Sequence, residues 1–253
     1  MSATRAATPQ ELLIVCVARL LEGLRHVAVG ASSPIPAAGA MLVRAQDEAA
    51  GREPLRISIR GSEEHNFFTN GGVELFDCAA QGRIDAFFLG GGQIDGQGNI
   101  NLVGSGSYPR NHVRWPGSFG SSFMYFVVPR VILFREEHSP RVFVERVDFV
   151  SAPGTSPTNV ERRGGPYALL TGMALFSFDK ARSRFRLESV HPGYTAQDVR
   201  AATGFDYDAP EDVPETAAPD AATLALLRRQ VRQELAESYP QFAASLPAWR
   251  DAA

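Results

Sequence analysis

Apolar positions early in the chain recur first every three to four residues and then in short continuous runs. Leu13, Val17, Leu20, Leu21 and Leu24 fall on one helical face. Thr8-Pro9-Gln10-Glu11, just ahead of them, reads as a capping box with proline at the first helical position. The amphipathic helix this predicts is followed by a strand over His26-Val27-Ala28-Val29, closed by Gly30 and Ala31-Ser32-Ser33. An alanine-rich helix is expected around Ala37 to Gln46, and a strand over Leu55 to Ile59. A helix from Gly71 to Gln81, with Val73, Phe76 and Ala80 on one face, then leads to a buried strand from Ile84 to Leu89. Strand and helix alternating through short loops predict an α/β fold, an open and mainly parallel sheet flanked by helices.

The second half has a different rhythm. Phe123 to Val128, Val131 to Phe134 and Val142 to Val150 are β-like in composition. Gly172 to Phe178 and Arg184 to Val190 flank the polar turn Asp179 to Ser183 and predict a hairpin. Thr195, with Asp198 three residues on, opens a short helix that Gly204 is expected to cap. Ala209 to Ala218 is proline-rich and acidic, a linker into a last amphipathic helix carrying Leu224, Leu227, Val231 and Leu235. The expected partition is an α/β domain over residues 1–208 and a linker with a mobile C-terminal helical arm over 209–253.

Composition narrows the function classes. The chain has 253 residues, ample for a core, and a formal net charge of −3, which favours neither nucleic acid nor an acidic membrane as partner. The apolar run Leu12 to Leu21 is too short to cross a bilayer and carries Arg19. Without a secretory leader pattern the expected location is the cytoplasm. Cys16 and Cys78 stand apart among apolar neighbours, as reduced, buried thiols do. The five histidines (His26, His65, His112, His138, His191) lack ligand spacing, so no metal site is expected. Neither a Gly-x-Ser-x-Gly elbow nor a local Cys-His pairing is present.

The densest candidate chemistry lies from Phe87 to Asn101, FFLGGGQIDGQGNIN. Gly90, Gly91 and Gly92 leave the end of a strand, where glycine permits close backbone approach and where α/β proteins place ligands. The glycine spacing fits neither a dinucleotide fingerprint nor a Walker loop.

Gly90-Gly91-Gly92-Gln93-Ile94-Asp95, then Gly98-Asn99-Ile100-Asn101, resembles the GGAQID-x-x-GN-x-N signature of class I coenzyme A transferase β subunits, the glutaconate transferase type above all. The likeness continues through Arg141-Val142-Phe143, Val147 to Gly154, Gly172 to Phe178, His191 to Val199 and Thr203 to Asp206, in the family's order. It implies an open α/β subunit that pairs with a similar α subunit, as a heterodimer or heterotetramer, around an active site between them. It also implies coenzyme A as substrate and product, with no tightly bound cofactor. Family members attack an acyl-CoA thioester with a glutamate, pass through an acyl-glutamyl anhydride, and stabilise the tetrahedral intermediates with backbone N–H groups.

Two matching positions depart from the family pattern. Gly117-Ser118-Phe119-Gly120 stands where the family has Gly-x-Gly-Gly, so Gly120 becomes the candidate oxyanion donor and Phe119 adds bulk beside it. The family's glutamate ends a short strand matched by Ile57-Ser58-Ile59, and strict alignment puts Arg60 in its place. Arg60 has no lone pair to offer as a nucleophile; it can clamp an acyl carboxylate or a CoA phosphate, or sit at a surface. Glu63, three residues on in Ser62-Glu63-Glu64-His65, is the candidate catalytic glutamate, with solvated loop carboxylates as the alternative. Gly90, Gly91, Gly92, Gln93 and Gly117, with Arg60, are the candidate substrate and CoA contacts. Tyr108 to His112 with Arg114 and Trp115 either lines the acyl pocket, recognises CoA or makes a surface or subunit contact.

Absence of the strand-end glutamate also resembles the small subunit of steroid ring-cleaving acyl-CoA hydrolases, whose working carboxylate belongs to the partner. Their T-D-G-E strand end is missing here. The expectations are therefore CoA transfer to a carboxylic acid first, acyl-CoA or C–C bond hydrolysis with an α-subunit carboxylate second, and a non-catalytic acyl-CoA-binding subunit third.

Overall fold

The computed structural model describes residues 6–69 and 72–249. These fall into two compact units, one of residues 6–69, 84–86 and 217–249, the other of residues 72–83 and 87–216.

The first unit begins with α1 (Pro9–Leu21), β1 (His26–Val29), α2 (Pro34–Ala49) and β2 (Arg56–Ile59). Its opening capping box is formed: the Glu11 N–H donates to Thr8 Oγ1 at 3.2 Å and the Thr8 N–H to Glu11 Oε2 at 2.8 Å. All four residues of β1 are buried, as an apolar strand covered on both faces requires. β1 and β2 pair in parallel from His26 opposite Arg56 to Val29 opposite Ile59.

The second unit opens with α3 (Val73–Ala80); the Gly71 start expected from sequence lies outside the described residues. β3 (Ala86–Leu89) enters the glycine loop, whose short strands β4 (Gln93–Ile94) and β5 (Ile100–Asn101) pair antiparallel. β6 (Gly104–Ser105) and β7 (Val113–Arg114) pair likewise and close the Tyr108 loop. After α4 (Ser121–Val127), β8 (Arg130–Arg135) pairs in parallel with β9 (Pro166–Thr171). β10 (Ala174–Asp179) and β11 (Arg184–Val190) make the expected hairpin, with β9 antiparallel on the other side of β10. α5 (Ala196–Ala202) starts at Thr195 and Asp198 in a second complete capping box.

Three expectations in this unit are corrected. Phe123 to Val128 is helical: α4 buries Met124 and Tyr125 and leaves Phe123 exposed, a helical rather than an alternating pattern, so packing overrides β-propensity. Val142 to Val150 is no strand. Its N–H groups go to scattered acceptors and form no ladder, Val142 and Phe143 both to the Ser139 carbonyl, Val144 to the Ile94 carbonyl and Asp148 to the Gln93 side chain. Gly204 is not a left-handed cap; Thr203 ends α5, and a Cβ on Gly204 would meet the Phe143 carbonyl oxygen at 2.5 Å. Of the two thiols, Cys16 is buried and Cys78 partly exposed.

The proline-rich stretch runs beside β11, with the Leu187 N–H donating to the Asp208 carbonyl at 2.8 Å and the Val190 N–H to that of Pro214 at 3.0 Å. The chain then returns to the first unit as α6 (Ala221–Leu226), a π turn (Leu227–Val231), α7 (Arg232–Leu235) and α8 (Pro240–Ser245). Leu224, Leu227, Val231 and Leu235 are all buried, as their spacing predicts. Within the π turn, Arg228 donates from Nε to Glu11 Oε1 at 2.6 Å and from Nη2 to Oε2 at 2.9 Å. That buried, bidentate pair ties the returning helix to the first turn of α1.

Candidate active site

In the glycine loop, polar side chains brace the backbone. Gln93 Oε1 accepts from Asn101 Nδ2 at 2.8 Å and from the Asp148 N–H at 3.0 Å, while Gln93 Nε2 donates to Asp148 Oδ2 at 3.0 Å. Asn101 also donates to the Gly104 carbonyl at 2.8 Å, and its Oδ1 accepts the Val103 N–H at 3.0 Å. Asp95 Oδ1 accepts the N–H groups of Gln97 and Asn99, each at 3.1 Å, and Asn99 Oδ1 takes that of Gly154 at 3.1 Å. A Cβ at Gly92 would lie 2.3 Å from the Trp115 ring, at Gly91 2.7 Å from Ile100, and at Gly90 3.0 Å from the Phe134 carbonyl oxygen. The triplet thus serves close packing, and the Gln93 side chain is committed to the loop itself. Trp115, placed in a loop of open role by sequence, is a packing partner of Gly92.

Downstream, Gly117 has φ +101°, and its N–H donates to the Leu102 carbonyl at 3.1 Å. Phe119 takes φ +38° and is 83% exposed, its ring 5.6 Å from that of Phe76. Left-handed backbone is costly for an aromatic residue and persists where the surroundings hold it. Gly120 caps α4, and a Cβ there would run into the Phe76 ring at 2.1 Å, so only glycine fits.

In the first unit, the chain leaves the carboxyl end of β2 through exposed Arg60 and through Gly61 at φ +87°. Ser62 and His65 are buried while Glu63 and Glu64 are exposed, so the turn lifts its two carboxylates outward. The Ser62 hydroxyl donates to Glu237 Oε2 at 2.8 Å and the Glu63 N–H to Glu237 Oε1 at 2.7 Å. Ser62 Oγ accepts the His65 N–H at 2.9 Å, and the Ile59 N–H donates to the His65 carbonyl at 2.9 Å. Burial works to raise the Glu237 carboxyl, yet hydrogen bonds from Ser238, the Glu63 N–H and Ser62 hold it below its ordinary value, ionised. His65 Nε2 lies 3.1 Å from Glu234 Oε1, and Arg44 of α2 pairs with the same carboxylate. Burial, then the Arg44 charge, pushes the His65 imidazole below its usual value and keeps it neutral.

Arg60 and Glu63 therefore share the first unit, and Gly90 to Gln93, Gly117 and Gly120 the second. The supporting residue that sequence reading missed is Glu237. It lies 174 residues from Glu63, and a local pattern carries no trace of such a pair.

Residues 38–202 match the Coenzyme A transferase family, and the chain belongs to that family. It is 33% identical over 151 residues to the B-subunit of the glutaconate CoA-transferase from Acidaminococcus fermentans, covering 57% of this chain and 56% of that protein. It is 31% identical over 165 residues to the cholesterol ring-cleaving hydrolase IpdB subunit of Mycobacterium tuberculosis, covering 61% of this chain and 62% of that protein. Both matches span less than two thirds of the relative's length. The solved structure of Rhodococcus jostii IpdAB is similar with a TM-score of 0.76 at 25% identity, over 88% of this chain and 94% of that one. The fold is the family's mixed, mainly parallel sheet with flanking helices. Among the described residues no helix is long and apolar enough to cross a membrane.

Proposed function

We propose that this chain is the β-type subunit of a cytoplasmic two-subunit enzyme that transfers coenzyme A from an acyl-CoA to a carboxylic acid. The observation that carries this reading is the placement of Glu63, exposed on a braced turn at the carboxyl end of a parallel strand. Residues 1–208 hold the α/β domain and 209–253 form an arm. A carboxylate oxygen of Glu63 attacks the thioester carbon, the C–S bond breaks, CoA leaves as thiolate, and a mixed anhydride forms. The thiolate then attacks the glutamyl carbonyl, releasing the first acid and leaving a glutamyl–CoA thioester for the acceptor acid. The Gly120 N–H donates to the oxyanion, and Gly117 supplies the turn before it. Gly90, Gly91, Gly92 and Gln93 offer backbone to the substrate side, and Arg60 clamps a carboxylate or a CoA phosphate.

A second reading, hydrolysis with the carboxylate on the partner subunit, is favoured by one observation: Arg60 is the first residue after β2, where the family pattern has glutamate. Borohydride added to the purified two-subunit complex with acyl-CoA and no acceptor separates the two. A reduced adduct on Glu63 supports transfer. Steady release of free CoA without an adduct, abolished by substituting a partner carboxylate, supports hydrolysis. Neither outcome across a panel of acyl-CoAs leaves a binding role.

A further inference from the structure

The C-terminal arm reaches the carboxyl ends of both paired strands of its unit. Tyr239 donates its hydroxyl hydrogen to the Gly30 carbonyl, one residue beyond β1, at 3.1 Å. Glu237 takes Ser62 and Glu63, beyond β2, on its two separate oxygens. Glu234, nearly one helical turn earlier, faces His65. Ser62 passes the restraint on, because its oxygen also holds the His65 N–H, and the His65 carbonyl holds Ile59 at the strand end. A turn that leaves a strand through glycine at φ +87° has wide conformational freedom of its own. Two short bonds to one carboxylate remove that freedom at the residue whose side chain must meet a thioester carbon.

We infer that Glu237 is a positioning residue: it fixes the Ser62–Glu63 backbone so that the Glu63 carboxylate is aimed before substrate arrives. The inference rests on Glu63 being the nucleophile. It makes the arm part of the reacting geometry, not merely a brace for the fold, since attack by a misaimed carboxylate is slow even when substrate is bound.

The test uses the purified two-subunit complex, single-turnover formation of the borohydride-trapped adduct, steady-state kinetics and thermal unfolding. Glu237→Gln keeps the shape and one acceptor oxygen, but it loses the charge that strengthens both bonds and cannot accept the Ser62 hydroxyl and the Glu63 N–H together. Adduct formation and kcat should fall roughly tenfold to a hundredfold, with KM for acyl-CoA within about twofold. Ser62→Ala removes the hydroxyl arm of the clamp and should behave in the same way. The double variant should be slowed less than the product of the single effects, because both act on one geometry. Glu48→Ala, which removes the Gln230 to Glu48 bond of the same arm, should leave both rates unchanged. If Glu63→Gln abolishes the adduct while Glu237→Gln and Ser62→Ala react at the wild-type rate, the positioning role is overturned and the nucleophile stands. A wild-type rate per folded complex alongside a lowered Tm overturns it equally. If Glu63→Gln is fully active, the nucleophile assignment fails first.

Discussion

From Gly90 to Asn101 the chain is braced mainly by residues within about sixty positions of itself, Asn99, Asn101, Asp148 and Gly154 among them. From Arg60 to His65 the chain adds to the Arg60 N–H bond on the Val29 carbonyl two side-chain anchors, Glu237 and Glu234, more than 165 residues away. The first region commits its polar side chains to a closed network, which rigidifies a fold and leaves backbone rather than side chains to meet a ligand. The second turns two carboxylates to solvent and holds only their backbone. The well-kept motif therefore presents a firmly held backbone, and the irregular turn carries the proposed nucleophile.

The largest expected effect is kinetic. Glu63→Gln should lower kcat/KM by at least about a thousandfold, roughly 4 kcal/mol in the barrier. Its unfolding free energy should stay within about 0.5 kcal/mol of wild type, as for an exposed residue. Chemical denaturation beside the steady-state assay checks both, and a matching loss of stability would erase the contrast between the regions.

The converse substitution is Asn101→Ala. Asn101 is fully buried, and its removal orphans acceptors and donors of Gln93, Val103 and Gly104. It should destabilise the protein by about 3 to 4 kcal/mol. A denaturation midpoint near wild type would show that the loop is not the scaffold described.

Acid provides a subtler separation. His138 lies against Phe143, bonded between the hydroxyls of Thr171 and Thr203, and burial followed by the nearby His191 lowers its pKa to about 4. Burial also lowers that of His191, against the opposing bond to the Thr171 carbonyl. In the unfolded chain a histidine titrates near ~6.5, so between that pH and 4 the unfolded state holds the extra proton. Stability should therefore be complete above about pH 6.5 and fall as pH drops toward 4, by on the order of 3 kcal/mol for His138. Urea titrations at pH 7 and 4.5 measure the loss, and His138→Gln should flatten it.

The smallest expected effect is at Phe119. Phe119→Gly relieves the left-handed backbone but gives up the contact with Phe76, so stability should change by no more than about 1 kcal/mol. A larger loss would move this residue from the site to the scaffold.

Where structure depends on neighbours in sequence, the chain announced it. Thr8 with Glu11, and Thr195 with Asp198, became complete capping boxes, and the hairpin at Asp179 to Ser183 formed as its polar turn required. Phe123 to Val128 misled because aromatic and β-branched residues carry β-propensity, whereas Met124 and Tyr125 are buried on a helical turn. Val142 to Val150 misled because an apolar run says nothing of which partners will take its N–H groups. At the candidate site, glycine spacing made the loop visible and left its role hidden, since only packing on Trp115 and Ile100 explains the triplet. The clamp on Glu63 was beyond reach for the same reason: a contact that spans the chain has no period.

The π turn at Leu227–Val231 makes the arm's response to a change in length depend on where the change falls. Such a turn carries one residue more than an α-helix would place there. Deleting one of the turn's five residues would restore regular winding and leave the helix after it nearly in register, whereas deleting Arg232 or Gln233 from α7 would rotate all that follows by about 100°. Glu234, Glu237 and Tyr239 would swing away together, although none had been altered. The turn behaves as a slack link that can lose a residue, and the helix after it as a rigid one that cannot.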